Sequence, residues 1–160
     1  MVSDAIFEPS QLGSFSRQMW AALAAAVDPA TMRGELFEGR ETDGKSLMVK
    51  MGSPTGDQER QIVVWVDEVV TPSLLYGPSH CHEADDAGGI VRIIDLISQI
   101  MSDRLVIAME IGGLTPGWGR WLDLAEDDAI LEELTEPYAS GHFVIKTWTG
   151  AGDRDVQLEP

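Results

Sequence analysis

The 160-residue sequence predicts an α+β protein, with a mostly antiparallel sheet of five to six strands packed with about three helices. Three observations predict this class. Apolar residues recur at helical spacing in some segments and alternate at strand spacing in others. Short turn-rich segments separate the strands. The predicted element order is αβββαβαβ(β), in a single globular domain over residues 1–160.

The N-terminal part is predicted to be a helix followed by a meander. The helix runs from about Ser10 to Val27, where apolar residues recur every four positions, and Asp28-Pro29 ends it. Short loops between the next strands imply antiparallel pairing, with the first strand at an edge. Apolar residues on both faces of the third strand indicate a central position. The three strands are Thr31–Glu38, Ser46–Met51 and Gln61–Val70.

A loop from Thr71 to Ala84 is predicted before the strongest helical pattern, an isoleucine stripe from Ile90 to Met101. Asp85 or Asp86 would cap this helix, because a carboxylate there can accept from free backbone amides. The remaining predictions are a central strand at Arg104–Ile111, a glycine-rich loop at Gly112–Gly119, an acidic helix from Glu126 to about Leu134, a strand at His142–Thr149 and a last short strand or tail at Asp153–Leu158.

The charge balance bears on the class of partner. Twenty-seven acidic residues against eleven basic ones give a net charge of −16. Nucleic acid and anionic membranes repel such a surface, so neither is expected as a partner, whereas a basic protein is favoured. A single cysteine excludes an internal disulfide and fits a reducing compartment. The N-terminus lacks a secretory signal pattern, so a cytoplasmic location is expected.

The segment Tyr76–Asp86 concentrates residues with ligand chemistry. Two of the three histidines, the only cysteine and three carboxylates lie between His80 and Asp86. A His-x-His pattern can place two imidazoles on one side of an extended segment, so any metal site would use His80, His82 and Asp86. Cys81 could serve as a nucleophile only beside a positioned base. A single His-x-His more often packs, caps or lies exposed, so we predict no metal or other cofactor.

The same segment resembles the metal-binding motif of the metallo-β-lactamase family, His-x-His-x-Asp-His, which is often followed by Gly-Gly. The matching positions are His80, His82, Asp85, Asp86, Gly88, Gly89 and Ile90. The first aspartate lies one residue too far along, and Asp86 stands where the third histidine of the motif is expected. This resemblance implies a small metal-dependent hydrolase, which is retained as an alternative function.

Two further segments have features of a partner-binding surface. Trp118 lies in the glycine-rich loop, and aromatic residues dominate interface hot spots. Seven carboxylates and no base lie between Asp123 and Glu136, and such a surface speeds association with an oppositely charged protein. The residues predicted to contact a partner are Tyr76, His80, His82, Glu83, Asp85, Trp118, Asp127, Asp128, Glu132 and Glu133.

The general layout resembles the immunity proteins of bacterial polymorphic toxin systems. The specific similarity is a strand followed by a Gly-Pro-x-His-x-His turn that starts at Gly77. An acidic segment at the start of a helix comes next. The resemblance implies a non-enzymatic inhibitor that neutralises a basic toxin domain, such as a nuclease, in the cytosol. Besides the metal-dependent hydrolase, a second alternative is an acidic accessory protein that mimics the charge of nucleic acid.

Overall fold

The computed structural model describes residues 7–39, 41–66, 71–112, 119–124 and 141–157. Within these ranges the chain forms two α-helices and nine β-strands. The helices are α1 (Ser14–Ala26) and α2 (Ala87–Met101). The strands are β1 (Met32–Phe37), β2 (Ser46–Met51), β3 (Ile62–Val66), β4 (Pro72–Tyr76), β5 (Ser79–His82), β6 (Leu105–Glu110), β7 (Gly119–Asp123), β8 (His142–Lys146) and β9 (Arg154–Gln157).

The strands form two sheets, with the orders β1-β2-β3-β4-β5 and β7-β6-β8-β9. The α+β class is as predicted, but the single sheet of five to six strands with about three helices is wrong. Strands β4 and β5 form where a loop was predicted, and β7 begins at the last residue of the predicted glycine-rich loop. The predicted acidic helix from Glu126 to about Leu134 lies outside the described residues.

The chain divides into two compact units. The first comprises Met1–Met51, Ile62–Leu74 and Cys81–Ile94. The second comprises Gly52–Gln61, Leu75–His80 and Asp95–Pro160. The single domain over residues 1–160 stays a prediction. In the part of the chain that the structure describes, neither helix is long and apolar enough to cross a membrane.

The predicted antiparallel meander is confirmed in the first unit. Strand β1 pairs with β2 from Met32↔Met51 to Phe37↔Ser46, and β2 pairs with β3. Strand β1 has one neighbour in the sheet order, which confirms the predicted edge. Alternate side chains of β2 and β3 are buried, and helix α1 contacts β2 and buries Met19 and Leu23. Each large aliphatic side chain buried in this way contributes about 1.5–3 kcal/mol.

The loop between β1 and β2 caps the N-terminus of α1. Three amides at the start of that helix have no intrahelical acceptor. Asp43 Oδ2 accepts from the Ser14 amide at 3.0 Å, and Glu41 Oε1 accepts from the amides of Phe15 and Ser16 at 2.9 and 3.1 Å. The Ser16 hydroxyl also donates to Glu41. Two carboxylates therefore satisfy the helix start at the positive end of its dipole.

In the second unit, β6 lies between β7 and β8, which confirms its predicted central position. Its pairing with β7 runs from Leu105↔Asp123 to Met109↔Gly119. One face of this sheet forms an apolar cluster in which every side chain is at most 2% exposed. Its members are Val106, Ala108, Leu122, Phe143 and Ile145.

A buried arginine ties two distant segments of the second unit together. Arg60 is 8% exposed, and its Nη1 donates to Thr147 O and to Asp153 Oδ1, both at 2.7 Å. Its Nη2 donates to the other oxygen of Asp153, and its Nε donates to Asp57 Oδ2 at 3.0 Å. These bonds to Arg60 hold the pKa of Asp153 and the pKa of Asp57 below their ordinary values.

Candidate functional site

The predicted histidine loop is a β-hairpin. Strands β4 and β5 are joined by the two residues Gly77 and Pro78, and two neighbouring strands on so short a connection run antiparallel. Gly77 has a φ of 60°, in the left-handed region. A Cβ at this position would lie 2.4 Å from Ile107 Cδ1. The turn geometry and the close contact therefore both favour glycine here.

Tyr76 supports the hairpin from inside. Its side chain is fully buried, its carbonyl accepts from Trp121 Nε1 at 2.8 Å, and its ring centroid lies 6.4 Å from that of Trp148. Burial raises the pKa of its phenol. Its hydroxyl has no hydrogen-bond partner among the described residues. Tyr76 was predicted to contact a partner, and the structure places its ring away from the surface.

The two histidines lie on one side of β5. His80 and His82 are exposed, while the alternate residues Ser79 and Cys81 are half-buried, as the period-two alternation of a strand requires. Ser73 on β4 is 3% exposed, and its Oγ lies 2.7 Å from His82 Nδ1. The side chain of Ser73 thus holds the His82 ring in a defined orientation.

Cys81 has the environment of a structural thiol. It lies on the half-buried side of β5, and burial raises its pKa, with the charge of Glu83 adding to the effect. A nucleophilic cysteine requires the opposite environment, in which nearby positive charge stabilises the thiolate. The environment of Cys81 therefore does not favour covalent catalysis.

Two of the three carboxylates after β5 have structural roles. Glu83 forms an ion pair with Arg92 at 3.0 Å, and its side chain is 15% exposed. Asp86 Oδ1 accepts from the Gly89 amide at 2.8 Å, which confirms the predicted cap of α2. Asp85 is exposed. Over the described ranges, no group of three or more histidine, cysteine or acidic side chains is placed to hold a metal ion.

The structure brings only part of the predicted contact surface together. His80 and His82 share one side of a strand, and Glu83 and Asp85 follow within three residues. Tyr76 is buried, and the remaining predicted contact residues lie outside the described residues. These are Trp118, Asp127, Asp128, Glu132 and Glu133.

Sequence reasoning missed Ser73 and Arg60. Ser73 lies in a strand whose residues are mostly buried, in a segment that the sequence predicts to be a loop, and its contact with His82 becomes apparent only once the hairpin is formed. Arg60 lies three residues after Asp57, and this spacing predicts a local ion pair between the two side chains. Its bidentate partner Asp153 is 93 residues away in sequence, so no local pattern reveals that contact.

Most basic side chains in the described part of the chain are engaged in ion pairs within it. The described residues include seventeen acidic and ten basic residues, and at least six of the basic ones form such pairs. Residues 125–140 add six acidic residues and no basic one. The surplus negative charge is thus not balanced within the chain. The paired basic residues are Lys45, Lys50, Arg60, Arg92, Arg104 and Lys146.

Comparison with known proteins gives no match, whether to a family model, to a curated protein or to a solved structure. The resemblances to the immunity proteins and to the metallo-β-lactamase motif therefore rest only on the residues quoted for them, and they stay predictions.

Proposed function

We propose that this chain is a non-enzymatic acidic binding protein that neutralises a basic protein partner in the cytosol, in the manner of an immunity protein. The observation that carries the proposal is the charge distribution. The net charge is −16, and at least six of the ten described basic residues already pair with acidic residues of the same chain. A surface with this surplus attracts a basic protein and repels anionic ligands.

The contacts of the described acidic residues point to where a partner would bind. Glu41 and Asp43 cap α1, Asp86 caps α2, and Glu83 pairs with Arg92. Acidic side chains held in this way have little freedom to rearrange around a partner. The six acidic residues of 125–140, with no base among them, are the largest one-signed segment in the sequence and the proposed contact region.

The environment of Cys81 also supports a binding role. Its thiol pKa is raised, so the thiol stays protonated near neutral pH and is a poor nucleophile. A binding protein has no need of a reactive thiol, whereas a cysteine-dependent hydrolase does.

Co-expression in a bacterial host tests the proposal. Proteins encoded beside this gene are expressed alone and together with this chain, and growth is measured. A basic product that stops growth alone and is tolerated together with the chain is the expected result. If every neighbouring product is tolerated alone, or if this chain leaves toxicity unchanged, the immunity function is refuted.

Binding of the purified pair is then measured at low and high salt. Attraction between exposed charges is screened within about 10 Å at about 0.1 M salt. The association rate should therefore fall steeply as salt rises. A rate that does not depend on salt would show that the acidic surface does not drive recognition.

A further inference from the structure

We propose that β1 pairs antiparallel with β1 of a second copy of this chain, so that the protein forms a symmetric dimer through the edge of its first sheet. Strand β1 has six residues and is the longest of the four edge strands in the described part of the chain. It has β2 as its single neighbour in the sheet order. An edge strand presents backbone groups that can bond to a further strand. The strand lies wholly within the first compact unit.

The charges of β1 are incompletely paired within the chain. Arg33 is the one exposed residue of the strand, and it makes no ion pair with another described residue. The residue opposite Arg33 on β2 is Lys50, which carries a like charge. Lys50 pairs with Glu35 at 2.8 Å, and the Glu35 side chain remains 43% exposed. A carboxylate opposite Arg33 on its other side would offset the repulsion from Lys50.

Pairing of β1 with itself supplies that carboxylate in one register. Directly opposite residues of an antiparallel pair project from the same face of the sheet. With Gly34 on the two-fold axis, Arg33 faces Glu35 of the second copy, and the symmetry repeats this contact. Met32 then faces Leu36 of the second copy, which gives an apolar pair on the other face. An axis through Arg33 or Glu35 would place like charges opposite each other, so the charges specify one register.

The other described edge strands lack this self-complementarity. Arg154 and Asp155 of β9 are adjacent, and Arg120 and Asp123 of β7 are three residues apart. In each of these strands the two charges therefore project from opposite faces and cannot face each other across a symmetric pair. Strand β5 carries no acidic residue. The charge pattern thus favours β1 as the edge that a second copy occupies. A single pair of edge strands is a small interface, so a dissociation constant in the micromolar range is expected.

Sedimentation equilibrium of the full chain over a series of concentrations tests the dimer. The buffer contains about 0.15 M salt, which screens repulsion between the two acidic chains beyond about 8 Å. The mass of the parent should rise from 17.5 kDa towards twice that value. Arg33→Glu and Glu35→Arg each place like charges opposite each other, so each should dimerise at least about ten-fold more weakly. An equal mixture of these two variants should dimerise like the parent, because each introduced charge then faces an opposite charge.

A matched control separates the strand from the change in net charge. Arg154→Glu alters the net charge as Arg33→Glu does, at an exposed arginine in an edge strand of the other sheet, and should dimerise like the parent. Circular dichroism establishes that each variant is folded. A parent that stays monomeric, single variants that dimerise as tightly as the parent, a mixture that does not dimerise, or loss of the dimer in Arg154→Glu would each overturn the proposed pairing. No basic partner is present, so the outcome is independent of the proposed function.

Discussion

The contact between Arg60 and Asp153 offers a quantitative test of what stabilises the second unit. Asp153→Asn keeps the size of the side chain and one acceptor oxygen, but removes the charge and one oxygen that accepts from Arg60. The parent carboxylate accepts from both terminal nitrogens of Arg60 and, at 2.9 Å, from the Thr147 amide. The substitution therefore removes the charge together with one of the two hydrogen bonds that Asp153 accepts from Arg60.

The expected loss follows from the burial of the two partners. A hydrogen bond to a charged group contributes about 1.5–3 kcal/mol, and breaking a buried pair costs more because one charge is left uncompensated. The Arg60 side chain is 9% exposed, but that of Asp153 is 34% exposed, so water compensates part of the loss. We expect the free energy of unfolding to fall by about 2 kcal/mol. For a chain of this size the melting temperature should fall by about 4–8 °C.

Acid titration provides an independent readout of the same contact. The pKa of Asp153 is lowered from its ordinary value of 3.8, first by the hydrogen bond from Arg60. The folded protein therefore binds fewer protons than the unfolded chain in this range, and the contact stabilises fully above that value. The stabilisation is lost as pH falls through the lowered pKa. Asp153→Asn should accordingly flatten the dependence of unfolding free energy on pH below about pH 4.

A matched control distinguishes burial from ion pairing as such. Arg104 and Asp123 also form a bidentate pair, through Nε and Nη2 of Arg104 at 3.0 Å each, but their side chains are 51% and 44% exposed. Asp123→Asn should leave the melting temperature nearly unchanged, because exposed pairs contribute little. Thermal denaturation of both variants measures whether the loss of stability depends on burial of the ion pair. Equal losses in the two, or no loss in Asp153→Asn, would refute the reasoning.

Three further predictions concern the helix cap, the buried phenol and the acidic segment. Glu41→Ala should destabilise the protein by about 1 kcal/mol, because it removes the acceptor for two amides at the start of α1, and hydrogen exchange of those amides should speed up. Unchanged exchange would mean that water caps the helix equally well. Tyr76→Phe should raise the free energy of unfolding by about 1 kcal/mol in urea titrations, because it removes a buried hydroxyl that has no partner among the described residues. A loss instead would indicate that an ordered water bonds to this hydroxyl. Glu132→Lys/Glu133→Lys should slow association with the neutralised partner about ten-fold at low salt, and should leave the melting temperature nearly unaltered. Equal association rates for this variant and the parent would exclude these two residues from the interface.

Local sequence patterns determined the elements whose contacts lie close in the chain. The apolar repeat of α1, the isoleucine stripe of α2 and the Asp86 cap are confirmed, and so is the meander of β1 to β3. Each depends on residues a few positions apart or on strands joined by short loops, so periodicity and turn residues specify them.

The histidine hairpin shows where such patterns are insufficient. Its second strand, Ser79–His82, is polar and carries no aliphatic alternation, so composition indicated a loop. The strand forms because the turn at Gly77-Pro78 returns the chain alongside β4, where the backbone of β5 finds a partner. The pairing of β4 with β5 therefore brings the Ser73 hydroxyl into contact with the ring of His82.

The sequence by itself determined the α+β class, the acidic charge, helices α1 and α2 and the meander of β1 to β3. The tertiary structure decided that the strands form two sheets and which carboxylates are engaged. Glu41 accepts a hydrogen bond from the Ser16 amide of α1, 25 residues away in the sequence. Asp153 accepts one from Arg60, 93 residues away. The physical reason is that such contacts depend on the packing of whole elements, which no window of neighbouring residues contains.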